Sequence, residues 1–349
     1  MSKTYRVAVI GRTGRGNYGH GIDTVWKAFP QIDLVAVADA DDAGRAAAVK
    51  RLGVPRAYAG YRQMLAQEKP ELVGIGPRHA DQRAAMVTAA AEAGAHIYLE
   101  KPFALTLADA DRMVDAVRRN KVKLQLAHQM RATPFALKAK ALLEAGEIGE
   151  VEEIRARGKE DKRAGGEDMM VLGTHLFDMM RFFLGDPAWV TAHVAPMEVR
   201  TPTEPIGPVA GRRIAATFSF PNGVPGYFGS RQVADTHPLR FGTWIYGSKG
   251  VLYLANAIYP EGELRILRSP SWLPEPGRNW ETLAIAPEPR HANELMVADL
   301  LRAIETGTRP CCNEDDGRWT IEMVHGIYAA EKSGNRLHFP LARRSHPLG

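Results

Sequence analysis

The chain has 349 residues, of which 45% are hydrophobic and 24% charged. These ordinary globular values exclude a disordered or fibrous protein, and the length favours two domains over one hydrophobic core. The formal net charge of +5 is spread along the chain instead of forming a basic block, which argues against nucleic acid as a partner.

Neither membrane insertion nor export is indicated by the sequence. No uninterrupted apolar run approaches the roughly 20 residues of a membrane helix, and the N-terminal residues lead directly into a predicted strand instead of a signal peptide. The cysteines are the neighbours Cys311 and Cys312, which supply neither a disulfide framework nor a metal site. We therefore expect a cytoplasmic protein with no metal and no membrane partner.

Short apolar runs alternate with helical patterns in the first part of the chain. Strands are predicted over Arg6–Ile10, Leu34–Ala38, Leu72–Ile75, His96–Leu99 and Lys123–Leu126. Helices are predicted around residues 20–28 and over Ala43–Leu52, Asp81–Ala93 and Leu107–Arg119, the last two ending at Gly94 and Asn120. This alternation indicates a doubly wound parallel sheet with right-handed crossovers.

Beyond about residue 130 the pattern becomes rich in strands joined by short turns. Helices are predicted over Phe135–Glu144, Asp168–Leu184, Glu294–Thr306 and Trp319–Ser333. Strands are predicted over Glu150–Ala156, Trp189–Val194, Arg212–Phe220, Gly226–Val233, Thr243–Gly247 and Gly250–Leu254, and residues 268–290 are predicted to form an ordered surface loop. We expect a mostly antiparallel sheet with the 168–184 helix on one face.

A glycine-rich turn, residues 11–21, follows the first predicted strand. Gly14, Gly16 and Gly19 match the pattern G-x-G-x-x-G, whereas the usual position directly after the strand favours Gly11, and both registers stay open. Glycines let the backbone approach a pyrophosphate, whose charge is stabilised by free N–H groups at the start of a helix. A glycine-rich turn without a ligand is the alternative.

Asp39 follows the second predicted strand, about where a dinucleotide-binding domain carries an acidic residue. Its carboxylate would accept hydrogen bonds from ribose hydroxyls and repel a 2′-phosphate, so NAD is favoured over NADP. Three arginines of this region, Arg12, Arg15 and Arg45, would weaken that repulsion. The cofactor contacts predicted here are Gly11, Thr13, Gly14, Gly16 and Asp39.

The tripeptide Glu100-Lys101-Pro102 follows a predicted buried strand. Residues at the carboxyl end of such a strand face the crevice in which ligands bind. Lys101 is therefore placed to donate a hydrogen bond to a substrate hydroxyl, although an isolated lysine is more often a solvated surface charge.

Five features of the chain, taken in order, resemble the glucose–fructose oxidoreductase and inositol dehydrogenase family. They are the glycine-rich turn, Asp39, Glu100-Lys101-Pro102, Gly146-Glu-Ile-Gly149 and Gly173-Thr-His175-x-x-Asp178. The resemblance covers nearly the whole chain. It implies a Rossmann domain over residues 1–128 that binds NAD, and an α+β domain over residues 129–349 for substrate binding and oligomerisation. It also implies assembly into a homodimer or homotetramer.

The same resemblance implies the roles of individual residues. Lys101 would hydrogen-bond the reacting hydroxyl, and His175 would accept its proton while hydride passes to the nicotinamide. Pro77, Glu100 and Lys101 would lie at the cofactor. Substrate contacts are expected from Lys101, His128, Arg131, Asp168 and His175, with the alternative that His128 and Arg131 form a structural hinge.

The chain departs from the family pattern in two places. Val171 stands four residues before His175, where many members carry an aspartate that also contacts the substrate. Asp168 or Asp178 could take its place, but Asp168 could instead cap the helix, and Asp178 could be exposed or ion-paired. Arg78 and His79 replace the usual residues after the third predicted strand, and could bind an anionic group or lie at the surface.

We therefore expect an NAD-dependent oxidoreductase that acts on a secondary alcohol of a polyhydroxylated small molecule: a sugar, a glycoside or a cyclitol. Two alternatives stay open. The first is cleavage of a glycoside through a transient keto-sugar with no net redox change. The second is a protein that senses NAD and a sugar without turnover, which is considered because Val171 stands where many family members carry an aspartate.

Overall fold

The computed structural model describes residues 3–202, 204, 206–232, 241–256, 262–269 and 279–349. The chain divides into two compact units. The first comprises the chain up to Ala127 with Glu204–Gly207 and Asn293–Ile321, and the second comprises His128–Thr203, Pro208–Ala292 and Glu322–Gly349. The first division point, between Ala127 and His128, lies next to the predicted boundary at residues 128/129, and the chain returns to the first unit at Glu204–Gly207 and Asn293–Ile321.

The first unit contains a six-stranded sheet of order β3-β2-β1-β4-β5-β6, in which every pair is parallel. Its strands are β1 (Tyr5–Ile10), β2 (Ile32–Ala38), β3 (Arg56–Tyr58), β4 (Leu72–Ile75), β5 (His96–Leu99) and β6 (Leu124–Leu126). The strand order reverses between β1 and β4, which opens a crevice at the carboxyl ends of these strands. The predicted parallel sheet is confirmed, with β3 as an additional strand.

Four helices connect these strands: α1 (Asp42–Leu52), α2 (Tyr61–Glu68), α3 (Arg83–Glu92) and α4 (Leu107–Arg119). The side chain of Asp41 caps α1 by accepting from the Gly44 N–H, and Thr106 caps α4 in the same way at Asp109. The sequence pattern predicted all of these helices except α2, whose eight residues are too few for a clear period.

The helical segment predicted around residues 20–28 is confirmed only in its last four residues. The chain forms turns after β1, followed only by the short 3-10 helix Val25–Ala28. Four glycines between residues 14 and 21 adopt positive φ angles, namely Gly14, Gly16, Gly19 and Gly21. Residues in that conformation cannot continue a right-handed helix, and Pro30 lies just beyond the 3-10 turn.

The second unit packs helices on one face of a nine-stranded sheet. Its helical segments are α5 (Pro134–Glu144), α6 (Gly166–Asp168), the π-helical turn Met169–Gly173, and α7 (Thr174–Leu184). Its first sheet strands are β7 (Val151–Arg157) and β8 (Trp189–Ala195), and β9 (Val199–Arg200) with β10 (Val209–Ala210) forms a separate ribbon. The remaining sheet strands are β11 (Arg213–Ser219), β12 (Pro225–Arg231), β13 (Gly242–Gly247), β14 (Gly250–Ala255), β15 (Glu263–Leu267), β16 (Glu281–Thr282) and β17 (Leu337–His338).

The sheet order is β16-β15-β14-β13-β7-β12-β11-β8-β17, and its pairs are antiparallel except for β7 with β12. This confirms the mostly antiparallel sheet. Phe177 of α7 packs against Phe228 and Phe218, with ring centroids 4.6 and 5.8 Å apart. The expected packing of this apolar helix on the sheet is therefore confirmed.

The last two helices are α8 (Ala292–Thr306) and α9 (Glu314–Ser333). Asn293 joins α8 to the first unit, because it accepts from the Tyr98 hydroxyl at 2.7 Å and donates to the His20 carbonyl at 2.6 Å. Val233, the predicted end of the strand that contains β12, lies outside the described residues, as do positions 270–278 of the predicted 268–290 loop. Among the residues that the structure describes, none of the helices combines the length and apolar character needed to cross a membrane.

Candidate active site

The glycine-rich turn is shaped by its own polar groups. Gly11 follows β1 directly and donates its N–H to the Ala38 carbonyl at 2.8 Å. Asn17 pairs with Arg12 through the backbone and accepts from the Gly14 N–H at 2.9 Å. No α-helix follows this turn directly, because the next helical segment is the 3-10 helix Val25–Ala28.

Two glycines of this turn allow it to pack closely on the segment after β4. A Cβ at Gly16 would lie 2.4 Å from the Arg78 nitrogen, and one at Gly19 would lie 2.6 Å from the Gly76 carbonyl oxygen. Neither approach is possible for a larger residue without movement of the backbone. Pro77 lies in this segment, and its carbonyl accepts from the buried guanidinium of Arg83.

Asp39 is buried at the end of β2 and holds the turn in place. Its carboxylate accepts from the Thr13 N–H at 3.0 Å, the Thr13 hydroxyl at 2.7 Å and the Asp41 N–H at 3.0 Å. A carboxylate offers roughly four acceptor positions, so capacity remains for about one further hydroxyl. This arrangement fits the adenosine ribose of NAD. Sequence reasoning missed the contact between Thr13 and Asp39, which are 26 positions apart in the chain.

Glu100 is fully buried beside the same turn. It accepts from the backbone N–H of His20 at 2.7 Å and of Lys101 at 3.0 Å, and the His20 ring nitrogen Nδ1 lies 3.2 Å away. Burial alone would raise the pKa of Glu100, but the hydrogen bonds from His20 and the charge of Lys101 outweigh it and lower the pKa. Glu100 therefore stays ionised and ties the glycine-rich turn to the end of β5.

Lys101 belongs to the first unit, whereas the other predicted catalytic and substrate-binding residues belong to the second.

Arg78 forms an ion pair with Glu204 at 3.3 Å. The sequence analysis had left two roles open for Arg78: binding an anionic group, or a charge at the surface. Glu204 is a partner that sequence reasoning missed, since it lies 126 residues further along the chain.

The second unit brings together His128, Arg131, His175 and Asp178, all of them buried. The rings of His128 and His175 lie 4.8 Å apart between centroids. The carboxylate of Asp178 accepts from Arg131 Nε at 2.7 Å, and its other oxygen lies 3.8 Å from His128 Nδ1. His128 is the N-cap of the 3-10 helix Gln129–Ala132 after β6, and Arg131 lies within that helix. His175 and Asp178 are one turn apart on α7.

Asp178 is the ionised carboxylate of this cluster and is paired with the Arg131 guanidinium. Burial alone would raise its pKa, but the Arg131 guanidinium and the adjacent His128 hold the pKa well below its usual range. The cluster therefore places a fixed negative charge next to an imidazole that itself contacts His175.

Asp168 occupies a different environment in the same unit. It does not cap the helix, since Gly165 occupies the N-cap position and Asp168 instead accepts from the Ser230 hydroxyl at 2.7 Å and the Glu160 N–H at 3.3 Å. Burial raises the pKa of Asp168 to about 6. The π-helical turn Met169–Gly173 separates Asp168 from His175 in the chain.

Comparison with known proteins decides the family. Residues 5–128 match the GFO/IDH/MocA family of oxidoreductases with an NAD-binding Rossmann fold, and residues 136–253 match a C-terminal domain of the same family. The chain belongs to the GFO/IDH/MocA family. Its first unit is therefore an NAD-binding Rossmann domain, and the resemblance found in the sequence is confirmed.

Relatives of this GFO/IDH/MocA oxidoreductase include named dehydrogenases. D-apiose dehydrogenase of Paraburkholderia graminis is 27% identical over 347 residues, covering 95% of this chain and 89% of that protein. Myo-inositol 2-dehydrogenase of Thermotoga maritima is 26% identical over 184 residues, covering 51% of this chain and 55% of that protein. The solved structure of levoglucosan dehydrogenase with NADH and levoglucosan has a TM-score of 0.82 at 21% identity, covers 97% of this chain and 100% of that one, and supports the fold.

Proposed function

We propose that this chain is an NAD-dependent dehydrogenase that moves a hydride between a secondary alcohol of a sugar, glycoside or cyclitol and the nicotinamide. The observation that carries the proposal is the buried contact between His175, His128 and the ionised Asp178 in a chain with an NAD-binding domain. The names of the apiose and myo-inositol dehydrogenases support a polyhydroxylated substrate.

In the proposed reaction the alcohol carbon loses a hydride and its hydroxyl loses a proton, so that a C–OH group becomes a C=O group. Bound NAD supplies the hydride acceptor. Lys101 donates a hydrogen bond to the reacting oxygen and stabilises its developing negative charge, and His175 accepts the proton. An imidazole suits this step because it titrates near neutral pH.

Asp178 is the best candidate to replace the aspartate that many family members carry at the position of Val171. It reaches His175 through His128, whose ring contacts both residues, and Arg131 keeps it ionised. His128 and Arg131 remain proposed substrate contacts at this cluster. The Asp168 carboxylate accepts hydrogen bonds from the Ser230 hydroxyl and the Glu160 N–H. We therefore propose that Asp168 positions the segment around Glu160 and influences the substrate only through that segment.

We also propose that the protein assembles through the outer face of its nine-stranded sheet. Tyr227 of β12 is 38% exposed there, although it is a large aromatic residue. The Arg155 guanidinium lies 4.7 Å from the ring centroid of Tyr246 and 5.9 Å from that of Tyr227 on the same face. Aromatic residues with arginine are enriched in interfaces between protein chains.

The proposed function is tested by NADH formation from levoglucosan, myo-inositol, D-apiose and a wider panel of pyranoses and glycosides. Each substrate is also incubated without added NAD, and the products are identified by mass spectrometry. NADH formed together with a product two mass units lighter supports the proposal. Cleaved glycoside without NADH would replace it with the transient keto-sugar route, and NAD binding without any product would favour a sensor.

A further inference from the structure

We propose that Thr13 sets the preference of this protein for NAD over NADP by fixing the carboxylate of Asp39. The inference concerns the cofactor alone and does not depend on which alcohol is oxidised. Asp39 is the residue at which the two cofactors differ, because NAD presents a ribose hydroxyl there and NADP presents a phosphate.

Thr13 binds Asp39 with two groups at once. Its hydroxyl donates to Oδ2 at 2.7 Å and its backbone N–H donates to the same oxygen at 3.0 Å. The Asp41 N–H holds the other oxygen at 3.0 Å. Donors on both oxygens leave the carboxylate no freedom to rotate, so its negative charge stays at the end of β2.

Thr13 packs closely against Gly44 in the first turn of α1. A Cβ at Gly44 would lie 1.8 Å from the Thr13 hydroxyl oxygen and 2.6 Å from its Cβ. Only glycine allows this approach, although Gly44 has an ordinary φ and alanine would favour the helix itself. Gly44 thus controls the contact between Thr13 and Asp39 without touching the carboxylate.

The fixed carboxylate discriminates between the two cofactors. A ribose hydroxyl can donate to the acceptor capacity that Asp39 has left, whereas a phosphate carries close to two negative charges and has no proton to donate at neutral pH. The Arg45 guanidinium donates to the Asp39 carbonyl at 2.8 Å and to the Asp42 carboxylate at 2.5 Å. If Asp39 were free to turn away, Arg45 could turn to a phosphate instead.

The test compares dissociation constants for NADH and NADPH, measured by fluorescence titration without substrate. Thr13→Val removes the hydroxyl at nearly constant shape, Gly44→Ala displaces Thr13 from a distance, and Thr13→Ser keeps the hydroxyl as the matched control. We expect the NADH preference to fall about tenfold in Thr13→Val and Gly44→Ala, the size of one hydrogen bond to a charged group, and to be kept in Thr13→Ser.

An equal loss of affinity for both cofactors in Thr13→Val would overturn the proposal, because Thr13 would then only stabilise the turn. An unchanged preference in Gly44→Ala, with circular dichroism showing a folded protein, would overturn it as well. Because the readout is binding, failure to find an oxidised substrate would count against the proposed function and not against this inference.

Discussion

Asp168 and Asp178 show how the surroundings of a residue, and not its type, decide its chemistry. Both are buried, and both lie within a few residues of His175 in the chain. Asp178 has a guanidinium at 2.7 Å and a lowered pKa, whereas Asp168 has a neutral hydroxyl as its closest donor and a raised pKa. Asp178 therefore stays ionised throughout the range in which Asp168 titrates, whereas Asp168 takes up a proton as the pH falls through about 6.

The raised pKa of Asp168 predicts a pH-dependent stability. Burial moves this pKa from 3.8 to about 6, so between these values the folded chain binds the proton more tightly than the unfolded chain. The free energy of unfolding therefore falls as pH rises through this window, and the loss persists above it. Asp168→Asn stays neutral and removes the effect.

We expect the stability of Asp168→Asn relative to the wild type to increase by about 2–3 kcal/mol between about pH 4 and pH 7. Urea unfolding at a series of pH values measures this difference. A difference that does not change with pH would show that Asp168 has the same pKa in the folded and unfolded chains.

The ion pair of Arg131 with Asp178 predicts a strong energetic coupling. Removing one partner of a buried pair leaves an uncompensated charge and costs about 3–5 kcal/mol, whereas removing both costs much less. We expect Asp178→Asn and Arg131→Gln to destabilise the fold individually and to be far from additive when combined. Urea unfolding of the two single variants and the double variant tests this, and additive losses would contradict a direct pair.

Single residues could be predicted where a motif follows a strand. Asp39 and Lys101 follow β2 and β5, so the position at the end of a strand indicated their surroundings. The contacts of Thr13 with Asp39 and of His20 with Glu100 could not be predicted, because they join residues 26 and 80 positions apart. Such partners are determined by tertiary packing, which leaves no local pattern.

At the scale of elements, periodicity predicted long strands and helices but not the turn after β1. The apolar pattern around residues 20–28 resembles a helix, yet the positive φ angles of the preceding glycines prevent one. The short strand β15 was missed, and the parallel pairing of β7 with β12 could not be predicted from turns between neighbouring strands. These features depend on contacts between segments distant in the chain.

The glycine-rich turn gives a prediction with a built-in control. Gly19 has a φ of 68° and its Cβ would lie 2.3 Å from Glu100, whereas Gly53 has a φ of 73° and its Cβ would meet nothing within 4 Å. Alanine at either position carries a backbone cost of roughly 1–2 kcal/mol, but only Gly19→Ala also displaces the turn from Glu100.

We therefore expect Gly19→Ala to lose more stability than Gly53→Ala and to bind NADH at least about tenfold more weakly, the scale of a lost charged hydrogen bond. Gly53→Ala should keep the NADH affinity of the wild type. Urea unfolding and NADH titration of both variants provide the comparison. Equal losses in the two variants would show that the packing of the turn on Glu100 is unimportant.

At the scale of the whole molecule, the division into two units could not be read as one boundary. Residues 293–321 belong to the first unit, where the Leu126 N–H donates to the Cys312 carbonyl at 2.8 Å and Gln125 donates to the Met296 carbonyl at 3.2 Å. The sequence shows a helix there, but nothing in its pattern indicates which sheet it covers. The parallel sheet of the first unit and the mostly antiparallel sheet of the second were predicted correctly. Strands that alternate with helices indicate the first kind of sheet, and strands joined by short turns indicate the second.

The exposed face of the nine-stranded sheet predicts assembly. We expect the wild type to have the mass of a dimer or tetramer in light scattering, and Tyr227→Asp to shift it towards the single chain. NADH affinity should not change, since Tyr227 belongs to the second unit and the NAD-binding domain is the first. A single-chain mass for the wild type would contradict the proposed assembly.

The central claim is that His175 and Lys101 carry the proton and charge of an NAD-dependent oxidation, and steady-state turnover of their variants tests it most directly. With a substrate from the panel, we expect His175→Ala and Lys101→Met each to lower kcat by about 10²–10⁴-fold, the usual contribution of acid–base catalysis, and His175→Ala to keep the NADH affinity of the wild type. His193→Ala, which removes a histidine 71% exposed in the same unit as His175, should turn over like the wild type. Wild-type turnover in His175→Ala would contradict the account.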